Sequence, residues 1–192
     1  MKAKIGRYGT AAVLALGLSG TASADFSGDF AVGNWVLNDN AGGTVDLSGV
    51  PATLTLTSGN SGFQGDTFFT TTAAATETIS FNWSYVTNDI WGESGTDAFG
   101  YVINGAVTTL IDPNQDFTNP AQSGTAVFTV NAGDVFGFDA NTLDGWGGSS
   151  VTVVSNFSAV PVPGAFWLFA SAIAGLGGMF RRNKPGAMPS CA

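Results

Sequence analysis

The stretch Thr78-Ile79-Ser80-Phe81-Asn82-Trp83-Ser84-Tyr85 alternates polar and apolar side chains without a break. A two-residue period marks a β-strand with one face on a core, and it assigns Ile79, Phe81, Trp83 and Tyr85 to the buried side. Outward from it, segments 51–57, 66–72, 98–103, 106–111, 125–130, 135–139 and 151–157 share its enrichment in Thr, Val and aromatic residues, the composition of strands. Asn104-Gly105 joins two of these segments and predicts a two-residue hairpin. Asn131-Ala132-Gly133-Asp134 predicts a second turn. No part of this region has helical periodicity. Eight short strands with regularly spaced turns predict an all-β domain, a single β-sandwich and most simply a jelly roll. Trp35 and Trp83, on or near strands, are expected in its core.

Charge frames this region sharply. Lys2, Lys4 and Arg7 open the chain, Arg181, Arg182 and Lys184 lie near its other end, and all fourteen acids lie between residues 25 and 160. Each basic cluster borders an apolar stretch, the pattern of cytoplasmic flanks in membrane topology. At the N-terminus the basic residues precede the apolar run 11–18 and the small-residue site Ala22-Ser23-Ala24. Together these predict a signal peptide over 1–24, cut by signal peptidase to leave Asp25 first. Neither a twin arginine nor a lipoprotein Cys accompanies it.

At the other end Val160-Pro161-Val162-Pro163 leads into an apolar run over 164–180. As a helix this run would reach roughly 25 Å, the lower limit for a bilayer core of about 30 Å. Ala170, Ala174 and Gly178 recur every four residues and would let another helix approach closely. The expected organisation is a signal peptide over 1–24, an exported β-sandwich over 25–159, a tail over 160–184 with a transmembrane helix at 164–180, and a cytoplasmic extension over 185–192.

The order of Pro motif, short Gly/Ala-rich helix and Arg-rich stop resembles the PEP-CTERM sorting tail, closest to its Val-Pro-Leu-Pro variant. The resemblance implies recognition of Val160, Pro161, Val162 and Pro163 by an exosortase, an integral-membrane enzyme of Gram-negative bacteria. It makes Arg181, Arg182 and Lys184 the membrane stop. It further implies transient residence in the inner membrane, then delivery to the cell surface or the extracellular polysaccharide. Val162 stands where Glu or Leu is usual in that family, and 185–192 extend past its usual end. Asn34-Trp35, 51–56, Phe99-Gly100-Tyr101 and Ala132-Gly133-Asp134 also resemble the ectodomains carried by such tails, in a CUB-like or jelly-roll-like arrangement.

The region between the basic ends has no His, Lys, Arg or Cys. That removes Ser-His-Asp and Cys-His nucleophiles, His-ligated zinc, Schiff-base lysines and arginine clamps on phosphate. Two carboxylates suffice for a glycosidase, but nothing marks Glu77 and Glu93 as a pair. The expectation is a protein that is not an enzyme. Its acidity makes nucleic acid a poor partner. Cys191, the sole Cys, lies in the tail.

Acids on a Thr-rich β protein serve first as solvating groups that blunt edge strands. They also suggest Ca²⁺, which takes clustered oxygen ligands. The candidate clusters are Asp89, Glu93 and Asp97 in one loop, and Asp134, Asp139 and Asp144 around another, with 38–40 a weaker third. In CUB-like domains an acid just before an aromatic strand helps bind calcium, and Asp97 before Phe99 and Tyr101 resembles it. Trp91 and Trp146 lie beside Gly in loops. Each either folds back to cap the sandwich or stays exposed to stack on a sugar ring. The sequence thus favours a non-catalytic surface or matrix protein delivered by a sorting tail. The alternatives are a carbohydrate-binding module using its loop aromatics and a permanently anchored protein without processing.

Overall fold

A computed structural model describes residues 23–90, 96–112 and 121–162, and a compact unit spans Gly20–Val162. Its strands are β1 (Ser23–Ala24), β2 (Val36–Asp39), β3 (Thr44–Asp46), β4 (Thr53–Thr57), β5 (Gly65–Thr72), β6 (Glu77–Thr87), β7 (Phe99–Ile103), β8 (Ala106–Thr109), β9 (Ala121–Val130), β10 (Val135–Thr142) and β11 (Ser150–Pro161). All pairings are antiparallel. One sheet runs β3-β4-β11-β6-β9, with β1 also on β11, and the other runs β2-β5-β10-β7-β8. Among β4 to β11 the pairing is nested: β4 with β11, β5 with β10, β6 with β9, and β7 with β8. Each segment read as a strand from its alternation is one of these eight.

The alternating stretch that fixes the reading is the centre of β6. Ile79, Phe81 and Tyr85 are almost fully buried, and Trp83 is buried with them. Across the sandwich Phe81 meets Phe138 of β10 edge to face, with centroids 5.0 Å apart. Trp35 stacks on both Phe69 and Phe138 at 5.1 and 5.4 Å, and its Nε1–H donates to the Phe30 carbonyl at 3.0 Å. The indole buries its surface and still satisfies its one donor, as a core Trp must.

Asn104 and Gly105 both take positive φ, 49° and 83°, and turn Ile103 back onto Ala106. This is the mirror-image turn whose twist matches a hairpin. β11 departs from simple alternation. Ser150, Thr152 and Val154 point inward, then Phe157 and Ala159 do. A bulge between Ser155 and Ser158, with Asn156 at φ 50°, switches the parity, so the strand continues to Pro161 where the sequence reading stopped at 157. Among the described residues no helix is long and apolar enough to cross a membrane; the expected span 164–180 lies outside them.

Candidate functional site

Beyond the C-terminal end of β10, the loop to β11 holds an aromatic side chain in solvent. Thr142 Oγ1 accepts the Gly145 N–H at 3.0 Å, and Asp144 Oδ1 accepts the Trp146 N–H at 3.0 Å. The Gly145 carbonyl accepts from Gly62 N–H at 2.9 Å, and the Gly147 carbonyl from Ile90 N–H at 3.0 Å. Gly145, Gly147 and Gly148 take φ of 68°, 87° and 137°, values that only glycine adopts without strain. The loop is therefore tied to both of its neighbours, and Trp146 is carried on a fixed backbone.

Trp146 is 65% exposed, so of the two arrangements open to a loop Trp it takes the exposed one. A left-handed glycine on each side turns the backbone so that the indole lies along Gly62 of a distant segment, where even a Cβ would come within 3.2 Å of the ring. Phe63, on the same adjoining loop, is 72% exposed. Sequence reasoning passed over Phe63, although Gly62-Phe63-Gln64-Gly65 repeats the glycine-flanked aromatic of Gly145-Trp146-Gly147. Ile90 and Leu143 add apolar surface to these loops.

Beneath the loops lies a buried polar network. Asp97 is fully enclosed; its Oδ1 accepts from the Ser58 hydroxyl at 3.1 Å, and its carbonyl accepts from the Tyr85 hydroxyl at 2.7 Å. Ser58 Oγ in turn accepts the Ser150 N–H at 2.9 Å. Burial pushes the Asp97 carboxyl up to about 6, with the charges of Asp89 and Asp144 adding to it against the Thr142 and Ser58 hydroxyls. Asp89 Oδ2 accepts from Thr96 Oγ1 at 3.0 Å, and its N–H donates to Thr87 Oγ1. These oxygens tie strand ends together.

Several of the acids expected as calcium ligands hold turns or strand ends. Among the described residues no three Asp, Glu, His or Cys side chains come close enough to hold a metal ion. Asp134 and Asp144 flank the eight residues of β10, which hold them on the order of 25 Å apart, so Asp134, Asp139 and Asp144 do not form one site. Asp134 fixes its turn: Oδ1 accepts from Asn104 Nδ2 at 2.9 Å and Oδ2 from the Asn131 N–H at 2.7 Å, and its pKa is held below the usual value. Asp39 accepts N–H groups from Ala41, Gly42 and Gly43 and the Thr67 hydroxyl. Asp139 is buried on the outward side of β10, and burial, with Asp66 nearby, pushes its carboxyl up to about 7.

Val160 and Pro161 of the Pro motif lie in β11, opposite Thr78 and Glu77, and the Val162 N–H donates to the Thr76 carbonyl at 3.0 Å. Ala24 pairs with Ser158. Ala22, Trp91, Glu93, Pro163, Arg181, Arg182 and Lys184 lie outside the described residues.

No protein-family model matches the chain, and no curated protein matches it. Among solved structures it is similar to a family 35 carbohydrate binding module from Clostridium thermocellum, at 8% identity and a TM-score of 0.36, covering 74% of this chain and 100% of that one. It is also similar to a CBM35 from Paenibacillus barcinonensis, at 15% identity and a TM-score of 0.33, covering 71% and 98%. Likenesses this distant carry no weight for function.

Proposed function

We propose that the domain is a non-catalytic jelly-roll module that binds carbohydrate through its loop aromatics, with Trp146 as the stacking residue and Phe63 beside it. The observation that carries this reading is the exposure of Trp146 on a backbone fixed by hydrogen bonds. An aromatic ring held ready in solvent loses little conformational freedom on binding, and its face suits the C–H side of a pyranose. The absence of His, Lys, Arg and Cys between residues 25 and 160 supports a binding role over catalysis. Glycan-array binding that falls about tenfold or more in Trp146→Ala, near 1.4 kcal/mol, with unchanged melting temperature, is the expected outcome. Undiminished binding by that variant would overturn it.

We also infer that signal peptidase and an exosortase deliver this module to the cell surface or the extracellular polysaccharide. The ordered Pro motif, apolar run and basic stop support this. Intact mass of the mature protein tests it: a species lacking Arg181 and Arg182 is expected, and one that retains them leaves the anchored alternative.

A further inference from the structure

A cavity of about 500 Å³ opens on the outward face of the second sheet; it shares Leu143 with the loop end but not Trp146 or Phe63. Alternation along β10 sends Phe138 and Ala140 into the core and Asp139 and Asn141 to the other side. Asp139 is nevertheless only 2% exposed, because Val107, Ile111 and Leu143 rise around it as walls. Across β7 its register partner is Gly100, whose missing side chain lets the Thr108–Thr109 backbone of β8 pass close over the strand.

The chemistry of that floor is unbalanced. Asp139 Oδ1 is buried with no hydrogen-bond donor. Asp66 lines the same cavity, its Oδ1 accepting from Asn141 Nδ2 at 2.7 Å. A fully buried acid and a half-buried one thus share the cavity, and the sequence offers no Lys, Arg or His anywhere between residues 25 and 160 to neutralise them. An enclosed carboxylate without donors is costly. A ligand that relieves it brings both positive charge and N–H or O–H donors.

A calcium ion would want six to eight oxygens, whereas the cavity's polar side chains are two carboxylates, the Asn141 amide and the Thr109 hydroxyl, set among apolar walls. An ammonium group on a carbon skeleton suits both parts: its three N–H donors match the acids, and its methylenes match the walls. We propose that this cavity binds a small organic ammonium ion, its charged nitrogen seated between Asp139 and Asp66 and its carbon skeleton against Val107, Ile111 and Leu143. The raised pKa of Asp139 agrees with a carboxyl that lacks its counterion. Amino sugars and polyamines both carry this chemistry. The inference stands apart from the stacking site, since loss of glycan binding in Trp146→Ala would leave it untouched.

Calorimetric titration of the full chain at neutral pH with glucosamine, putrescine, glucose and Ca²⁺ tests it. The expected result is saturable binding of at least one amine, weakened tenfold or more by Asp139→Asn, with glucose bound at least tenfold more weakly than glucosamine. Saturation by glucosamine alone assigns the site to amino sugars, and saturation by putrescine assigns it to polyamines. Asp66→Asn provides a second variant, with an expected loss of threefold or more, should Asp139→Asn not fold. The proposal is overturned if neither amine saturates, if glucose binds as well as glucosamine, if amine binding survives both variants, or if Ca²⁺ alone saturates the site.

Discussion

At the N-terminal end of β10, Asp134 collects donors from Asn104 and Asn131 and closes two neighbouring turns on themselves. At the C-terminal end, Leu143, Trp146 and Phe63 of the adjoining loop stand in solvent, although the backbone beneath them is equally well hydrogen-bonded. Both ends have fixed backbones, so the difference lies in where the side chains go. One end spends its polar groups on its own turns, whereas the other ties the backbone down and leaves apolar rings unsatisfied. An end that is rigid but incomplete is the better place to look for a ligand.

The sharpest way to break this contrast is to replace glycines. In Gly145→Ala the new methyl would sit 2.4 Å from the Phe63 carbonyl oxygen at φ 68°. A loss of about 3 kcal/mol by chemical denaturation is expected, together with loss of glycan binding. Gly133→Ala, at φ 89° but with open space around it, should cost only about 1 kcal/mol. Equal costs would mean that the loop end is not held as described.

The middle of the strand supplies the next test. Asp139→Asn at pH 8 should stabilise the protein by about 2 kcal/mol, because it removes a buried charge without donors. The pH dependence follows from the same groups. Asp139 and Asp97 have folded pKa values of about 7 and 6, above the roughly 4 of an unfolded Asp. Their carboxyls therefore leave stability intact near pH 4 and reduce it as pH rises from about 4 through 6 to 7. Asp39 and Asp134 have lowered values, so stability also falls below about pH 4. Melting temperature against pH should peak near pH 4 to 5 in the wild type, and Asp139→Asn should flatten the decline on the alkaline side.

Smaller still is Asp134→Ala, expected to lower the melting temperature by a few degrees through the loss of its turn bonds while leaving glycan affinity unchanged. A loss of affinity in that variant would show that the two ends are coupled.

Much of this architecture was legible because alternation is a direct record of which side faces a core. Ile79, Phe81, Trp83 and Tyr85 read correctly, as did the Asn104-Gly105 hairpin. β2 and β3 were not legible: their side chains are exposed or half-buried throughout, so an edge strand with no deeply buried face leaves no period to detect. The bulge at Asn156 hid the second half of β11 by shifting parity midway. Trp146 was legible as a loop aromatic but not as an exposed one, since that depends on Gly62 from a distant segment. Asp139 was read only as one acid of a cluster with Asp134 and Asp144, and its burial was not legible. It occupies an outward position in the alternation, and two of the residues that line its cavity, Val107 and Ile111, come from a segment some thirty residues away.

β11 carries one more consequence. It is an interior strand, bonded to β6 along nearly its whole length, to β4 over its first half and to β1 near its end. This strand ends at Pro161, next to the last described residue, Val162. Tension applied through the following segment therefore enters the molecule at its most heavily bonded strand. Tension at an edge would open one ladder, whereas here the pull first meets the β6 ladder over residues 158–161 and, past the bulge, meets the β6 and β4 ladders together. A domain threaded this way bears load at the attachment point and transmits it into the centre of its first sheet.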